Sequence, residues 1–218
     1  MQGFSPNRRL WIEFALLMVA APLAMDAMLS VKYLLPAIWL AALYCWLVVR
    51  LLAGKGARLG WNSAAITRAA CVPILRRFAV SALLMGGLTW ALAPELLFGF
   101  VREKPLLWAA VMLLYPILSV IPQEFIFRRF FFMRYATLFP KPATMLIMSA
   151  VMFGFAHLLF HNWVAPFLCV VGGWMFAQTY DTRRSLALVV LEHALYGDFL
   201  FTLGLGRYFY HGTVAATL

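Results

Sequence analysis

Charged residues are scarce in this chain of 218 residues, where they make up 12% while hydrophobic residues make up 65%. Soluble domains contain nearer a quarter charged and half apolar residues. A water-soluble fold cannot bury this much apolar surface, so the composition excludes a soluble enzyme or binding domain. It predicts an integral, multi-pass membrane protein instead.

Cysteine is scarce as well. Cys45, Cys71 and Cys169 are scattered through mostly apolar sequence. They form neither a C-x-x-C pair nor the even, regularly spaced set of a disulfide framework. We interpret them as small buried hydrophobic residues.

Acidic residues are few, eight against 18 lysines and arginines, which leaves a net charge of +10. On a soluble protein this charge would indicate nucleic-acid binding, but here the basic residues gather in short connections between apolar segments. Strongly and weakly basic connections alternate, which is the pattern that orients a membrane protein. We therefore predict a cytoplasmic N-terminus, the lipid bilayer as a partner, and no nucleic-acid partner. The strongly basic connections contain Arg8 and Arg9, then Arg50, Lys55, Arg58, Arg68, Arg76 and Arg77, then Arg128, Arg129, Arg134 and Lys141, and finally Arg183 and Arg184.

Long apolar segments predict an all-α, polytopic transmembrane helical bundle of about seven or eight spans, since each span needs roughly 20 residues. An eighth span arises if the segment 106–139 divides at Pro122, because proline removes a backbone donor. The segment 54–77 is interpreted as a loop or a surface-lying amphipathic helix. The expected spans lie near 10–29, 33–53, 78–99, 106–139, 142–160, 163–180 and 185–204.

Ionisable residues inside apolar spans are expensive, so each is a candidate for a functional site. Three of them, Glu13, Asp26 and Glu95, lie near span ends, and we expect these three to reach the interface. The full set is Glu13, Asp26, Glu95, Glu124, Arg128, His157, Glu192, His193 and Asp198.

Glu124 and Arg128 are four residues apart, so they share one helix face. This spacing fits a buried structural ion pair that holds two helices together, and it fits a catalytic carboxylate held by a guanidinium group. The two residues alone leave both interpretations open.

Two histidines lie on later spans. His157 follows Phe153 by four residues and precedes His161 by four. The second spacing suits two metal ligands, but the glutamate of an H-E-x-x-H motif is missing. A lone histidine in a helical bundle is often a hydrogen-bonded core residue.

His193 has a tyrosine three residues on, Tyr196, which reaches the same helix face. Asp198 is five residues on and aligns with His193 only if Gly197 bends the helix. Glu192 is adjacent in sequence and points to a different face.

One buried glutamate, an arginine four residues on and two histidines supply the parts needed to activate water. A carboxylate in such a site can act as a general base. Histidine donors can stabilise the oxyanion of a tetrahedral intermediate. This combination predicts an inward-facing polar site built from three helices.

These residues resemble the CPBP family, named for CAAX proteases and bacteriocin-processing enzymes and also called the Abi family. Its motifs are E-E-x-x-x-R on one transmembrane helix, F-x-x-x-H on a second and H-x-x-x-N or -D on a third. Here the first runs from Gln123 through Glu124 to Arg128, the second from Phe153 to His157, and the third begins at His193. The resemblance covers residues 105–204, the expected catalytic core. It follows N-terminal helices and a basic loop at 1–104 and precedes a tail at 205–218.

The resemblance implies peptide-bond hydrolysis in a cavity within or beside the membrane. Within that reaction we expect Glu124 to be the general base, relayed through Gln123, with Arg128 holding Glu124 in orientation. His157 and His193 would stabilise the oxyanion. The substrate would be a membrane-embedded or lipid-linked peptide.

Further roles follow from the same resemblance. Asp198 would orient His193, and Phe153 and Tyr196 would shape the substrate-binding cavity. The implied location is a bacterial inner membrane. Family members have been described both as metalloproteases and as metal-free glutamate enzymes. We expect no cofactor; the zinc alternative uses Glu124, His157 and His193.

Two residues depart from the family pattern. Gln123 stands where the first glutamate usually activates water, so either Glu124 takes over as the base or this chain has lost hydrolysis. Gly197 stands where the third motif ends in asparagine or aspartate. The alternatives to a protease are a non-catalytic relative, such as an immunity or peptide-binding scaffold protein, and a small proton-coupled transporter.

Overall fold

The computed structural model describes residues 6–28, 33–54 and 59–209, and these residues form helices and connecting turns without any β-strand. The predicted helical bundle is therefore confirmed. Lys32, Lys55 and Arg58, which carried part of the charge pattern, and the tail beyond residue 209 lie outside the described residues. The long helices are α1 Asn7–Ala27, α2 Leu34–Ala53, α3 Arg68–Leu92, α4 Pro105–Arg134, α5 Pro142–Phe155, α6 Val164–Arg183 and α7 Leu186–Leu203.

Six of these helices are long and apolar enough to cross a membrane, with α5 counted through the short helical turn that follows it, to Phe160. The exception among the seven is α6, which has 20 residues but ends in a polar stretch containing Gln178, Asp181 and Arg183. Short helical segments at Pro94–Leu96 and Gly99–Glu103 connect α3 to α4.

The eighth span is not found, because 106–139 forms one helix of 30 residues, α4, followed by a turn. Pro122 does not divide it. Wider, π-helical turns at Pro116–Val120 and Phe125–Phe130 flank the proline within the helix. Such turns accommodate a residue that cannot donate a backbone hydrogen bond, and they re-aim the side chains near them. Gln123 and Glu124 lie between the two wide turns.

Helix α3 begins ten residues earlier than expected, so the segment 68–77 is part of a span and not a loop. The side chain of Thr67 caps the helix by accepting a hydrogen bond from the Ala70 backbone, at 3.3 Å. The basic residues of this segment were expected to lie outside the membrane, before the span at 78–99. One of them, Arg77, has a counter-charge inside the bundle. Arg77 Nη2 lies 2.9 Å from Glu192 Oε1 and 2.8 Å from Thr179 Oγ1, so it links α3 to α6 and α7.

This Arg77–Glu192 pair gives a stability prediction. The Glu192 side chain is fully buried, whereas that of Arg77 is 32% exposed. We expect Arg77→Ala to lower the free energy of unfolding by about 2–3 kcal/mol, less than a wholly buried pair loses, because water partly screens Arg77. Thermal unfolding in detergent measures this, with the exposed neighbour Arg76→Ala as the matched control. Equal melting temperatures for the two variants would contradict it.

Two residues expected at the interface form partly exposed ion pairs. Arg134 Nε donates to Glu13 Oε1 at 2.8 Å and joins the end of α4 to α1. Asp26 Oδ1 lies 3.0 Å from His161 Nε2. Glu95 is exposed, in the short turn after α3, as expected.

Helices α5 and α6 approach each other closely at glycines. A Cβ at Gly154 would stand 2.3 Å from Val170 Cγ2, and a Cβ at Gly173 would stand 3.0 Å from Phe153 Cδ1. Small residues allow this contact between transmembrane helices. The contact holds Phe153, and with it the end of α5, against the centre of the bundle.

Candidate functional site

A cavity of about 870 Å³ lies among the seven helices. Its wall is mostly aliphatic and aromatic, with polar side chains concentrated on α4, α7 and the end of α5. Such a cavity, apolar with a few convergent polar groups, is the usual form of a ligand-binding site. The polar lining residues are Ser81, Tyr115, Ser119, Gln123, His157, His193 and Tyr196.

Glu124 lies directly behind this wall and contacts His193. Glu124 Oε1 is 2.8 Å from His193 Nδ1, and the Glu124 side chain is fully buried. A carboxylate accepts a hydrogen bond, so Nδ1–H of His193 donates to it. The other ring nitrogen of His193, Nε2, lies 3.0 Å from the hydroxyl of Tyr115. A carboxylate–imidazole–phenol chain therefore runs from the protein interior to the cavity.

The second oxygen of Glu124 faces Arg128. Glu124 Oε2 lies 3.2 Å from Arg128 Nε, and both side chains are fully buried. Arg128 Nη1 also donates to Ser149 Oγ at 2.8 Å and to the Phe127 carbonyl at 3.1 Å. The pair expected from the spacing is therefore present, and it connects α4 to α5.

The general-base role expected of Glu124 stays a prediction, and in this geometry the carboxylate reaches the cavity only through a neighbouring group. Its two oxygens face His193 and Arg128, and the carboxylate has no exposed surface toward the cavity. The group that Glu124 presents to the cavity is the imidazole of His193. Sequence spacing placed Glu124 on the correct helix but could not show which neighbour stands in front of it.

His157 lies on the cavity wall just after α5 ends. Its Nδ1 is 2.7 Å from the backbone carbonyl of Phe153. A carbonyl oxygen only accepts, so Nδ1 carries the proton and Nε2 of the neutral ring is an acceptor. Nε2 has no hydrogen-bond partner in the described part of the chain. The neutral ring therefore offers a lone pair, not the donor that an oxyanion-stabilising role requires.

Aromatic rings hold the His193 imidazole in place. Phe176 stacks on it at 4.7 Å between centroids, and Phe153 meets its edge at 5.5 Å. Phe153 also contacts the His157 ring at 4.8 Å and lies 5.2 Å from the Arg128 guanidinium carbon. Phe153 thus separates the three polar groups and contacts each of them.

Gln123 lines the cavity with 8% of its surface exposed. Its Nε2 donates to Ser119 Oγ at 2.7 Å, one helical turn earlier. Its Oε1 is buried and has no hydrogen-bond partner among residues 6–28, 33–54 and 59–209. This leaves Gln123 with one unused acceptor, and a buried unused acceptor is uncommon in folded proteins.

The structure does not bring Asp198 to His193. Helix α7 runs unbroken from Leu186 to Leu203, so Gly197 does not bend it, and the two nitrogens of His193 face Glu124 and Tyr115. Asp198 Oδ1 is buried without a partner in the described residues. Tyr196 does line the cavity, where its hydroxyl lies 3.6 Å from Met175 Sδ.

Three residues of the site were missed by sequence reasoning: Tyr115, Ser119 and Ser149. All are uncharged, so a search for ionisable groups in spans passes over them. Ser149 Oγ bridges Arg128 and the Phe127 carbonyl at 2.8 Å each. Tyr115 and Ser119 lie eight and four residues before Gln123. These helical spacings are the available signal, because they place both residues on the Gln123 face.

The zinc alternative can be tested on the donor set. A zinc site takes three or four converging His, Cys, Asp or Glu ligands. Among the described residues no three such side chains converge. The two oxygens of Glu124 face His193 Nδ1 and Arg128, so the carboxylate does not join the two imidazoles as a third ligand. We derive no step through zinc, and the absence of a metal stays an expectation.

The part of the chain that contains the candidate site matches a known protein family. Residues 104–197 match the family model described as "Type II CAAX prenyl endopeptidase Rce1-like". No curated protein and no solved structure matched the chain. The match spans α4 to most of α7 and contains the Glu124–Arg128 pair and both histidines. This region of the chain thus matches the Rce1-like family of CAAX-type endopeptidases, in agreement with the family that its three motifs predicted.

Proposed function

We propose that this protein is an intramembrane endopeptidase that hydrolyses a peptide bond of a membrane-embedded or lipid-linked peptide. One observation carries the proposal: two histidines line one apolar cavity, the first backed by a buried carboxylate and the second with an unused acceptor. These are the groups needed to take a proton from water and to stabilise charge on a carbonyl oxygen.

His157 is the general base in this scheme. Its Nδ1–H is held by the Phe153 carbonyl, so the lone pair of Nε2 is available to a water molecule in the cavity. Gln123 Oε1 accepts the second hydrogen of that water and orients it, but an amide cannot take its proton. The hydroxide attacks the scissile carbonyl carbon, and His157 then delivers the proton to the leaving amine.

Glu124 acts through His193. The carboxylate holds Nδ1–H and stabilises a positive charge on the ring, and Arg128 fixes the carboxylate from the other side. The ring lies beside the carbonyl oxygen, on which negative charge develops during attack, while its Nε2 stays against the Tyr115 hydroxyl. Glu124 and Arg128 are positioning residues in this scheme, His157 contacts the reacting water, and His193 supplies charge beside the oxyanion.

The cavity wall supports the substrate class. Polar residues occupy one side of the cavity, whereas α1, α2 and α3 contribute almost only aliphatic and methionine side chains. An apolar wall of this extent binds an acyl or prenyl chain, or the apolar side chains of a transmembrane peptide, by removing them from water or lipid. The family description names prenyl substrates, in agreement with such a wall.

Cleavage of a defined peptide pool tests the function. The pool holds farnesylated CAAX peptides, acylated peptides and unmodified transmembrane peptides, offered to the full chain in nanodiscs. We expect cleavage of a lipid-linked or membrane-embedded member, measured by mass spectrometry, and no effect of a strong chelator. Loss of cleavage on chelation and recovery with zinc would contradict the scheme and favour a metal enzyme.

His157 can be tested in the same assay. We expect His157→Ala to lower the turnover rate roughly 100-fold, because it removes the general base. The matched control is His161→Ala, four residues on, which lies outside the cavity wall and should leave turnover within about twofold of wild type. Equal rates for the two variants would remove His157 from the mechanism.

A second candidate function is favoured by one observation. Gln123 occupies the cavity position at which the family motif carries a glutamate. A relative that binds a peptide without cutting it would retain the cavity and lack this base. It would bind a pool member tightly, by a fluorescence or calorimetric measurement, and release no product.

Integral membrane insertion follows from the helices and the family. We propose in addition a bacterial inner membrane with the N-terminus in the cytoplasm, supported by the alternation of basic connections. Labelling of single cysteines introduced into the connections, with a membrane-impermeant reagent, tests this orientation.

A further inference from the structure

Gly197 and Tyr115 occupy complementary positions beside His193. A Cβ at residue 197 would stand 2.4 Å from the Tyr115 hydroxyl oxygen and 2.4 Å from its Cε1. No side chain fits there while the tyrosine ring is in place. The explanation for this glycine is therefore the close approach of Tyr115 and not a bend in α7, which is continuous.

Residue 197 is also the fourth position after His193, where the third motif of the family carries asparagine or aspartate. In this chain that side chain is absent, and the hydroxyl of a residue from α4 occupies the space. The hydroxyl lies 3.0 Å from His193 Nε2, on the cavity wall. A polar group thus remains beside His193, but it comes from a different helix.

The direction of the hydrogen bonds from Glu124 through His193 to Tyr115 fits a donor at the cavity end of the series. Once the ring carries both protons, Nδ1–H of His193 donates to Glu124 and Nε2–H donates to the Tyr115 oxygen. The tyrosine O–H is then released to donate into the cavity. Each hydrogen bond in the chain polarises the next, so the positive charge of His193 strengthens the tyrosine as a donor.

We propose that the Tyr115 hydroxyl is a catalytic hydrogen-bond donor that stabilises the oxyanion beside His193, in place of the polar side chain missing at Gly197. The role is hydrogen bonding alone, and no bond to the tyrosine forms or breaks. The inference rests on the proposed function for its reaction, but its hydrogen bond can also be measured without turnover.

Removing the hydroxyl alone is the first experiment. Tyr115→Phe keeps the ring, which packs on Phe201 at 5.3 Å between centroids. We expect kcat for a farnesylated CAAX peptide to fall roughly 100-fold with little change in KM, the loss seen when one oxyanion donor is removed. Tyr44→Phe is the matched control, since Tyr44 lies on α2 outside the cavity wall.

Binding separates the inference from the proposed function. The probe is the same peptide with its scissile amide replaced by a phosphinate, which is tetrahedral and anionic. We expect Tyr115→Phe to weaken phosphinate binding at least 10-fold and amide binding less than twofold. A wild type that does not cleave but shows this difference would overturn the proposed function and support the donor. Equal losses for both probes, or unchanged kcat, would overturn the donor.

A reciprocal exchange is the second experiment. Gly197→Asn alone should abolish cleavage, because the new side chain displaces Tyr115. Combining Tyr115→Ala with Gly197→Asn removes the ring and returns an amide donor to α7. We expect this double variant to cleave at least 10-fold faster than Tyr115→Ala. A merely structural tyrosine predicts no such recovery, so equal rates would overturn the proposal.

Discussion

Replacing Glu124 by glutamine will lower the free energy of unfolding by about 3–5 kcal/mol, because it leaves the fully buried Arg128 without its counter-charge. The Ser149 and Phe127 oxygens still accept from Arg128, but neither carries a negative charge. Denaturant or thermal unfolding in a mild detergent measures the loss. A pair nearer the surface serves for comparison: Asp181→Asn, opposite the exposed Arg184, should cost less than about 1 kcal/mol.

Removing both charges separates stability from chemistry. In the double variant Glu124→Leu with Arg128→Met no unpaired charge is buried, and apolar replacements of similar volume can restore stability. Ser149 Oγ still donates to the Phe127 carbonyl there. We expect the double variant to unfold near the wild-type temperature while its cleavage rate falls roughly 1000-fold, because Nδ1 of His193 loses the carboxylate that holds it.

Two outcomes would contradict this account of the pair. A Glu124→Gln variant as stable as wild type would mean that Arg128 finds compensation elsewhere. A stable double variant that cleaves at the wild-type rate would make the pair structural only. Sequence spacing left a structural ion pair and a catalytic carboxylate both open. The comparison of the single and double variants decides between them.

Gln123→Glu will raise the cleavage rate roughly 100-fold, because it places a group that can take a proton where the amide can only orient water. The new carboxylate has the shape of the amide it replaces and keeps Ser119 as a hydrogen-bond partner. It also restores the E-E-x-x-x-R pattern of the family motif. Turnover of the farnesylated peptide in nanodiscs is the measurement.

The control for the added charge is Gln178→Glu on α6. Gln178 lies outside the cavity wall and accepts from Arg77 at 3.4 Å, so a carboxylate there gains a cationic neighbour. We expect no change in its rate. If wild type is inactive and Gln123→Glu cleaves, the natural protein is a binding relative that retains the cavity. If neither cleaves any peptide of the pool, the hydrolytic proposal is wrong.

The membrane bundle and the family that residues 104–197 match could be predicted because they depend on local properties of the chain. A long apolar segment must satisfy its backbone hydrogen bonds as a helix, whatever its neighbours are. Ionisable residues within such segments stand out, and Glu124, Arg128, Phe153, His157 and His193 mark the motifs in order. The region 104–197 matched the family on which those motifs converge.

Helix boundaries were less predictable where a charge is compensated at a distance. Arg77 was expected in the connection before the third span, yet it lies within α3, where Glu192 on α7 accepts from it. Pro122 indicated a break in the fourth span, yet α4 absorbs it in wide turns. Each expectation followed a sound local rule that a partner or a backbone adjustment overrode.

The sequence by itself determined that the chain forms membrane helices and which of their residues are candidates for chemistry, since both follow from hydrophobicity and residue type. Only the tertiary structure decided which groups those candidates contact. It placed His193 between Glu124 and the cavity, and it set Tyr115 where Asp198 had been expected to act. Hydrogen bonds and ring contacts depend on distances between helices, and spacing along one helix does not encode them.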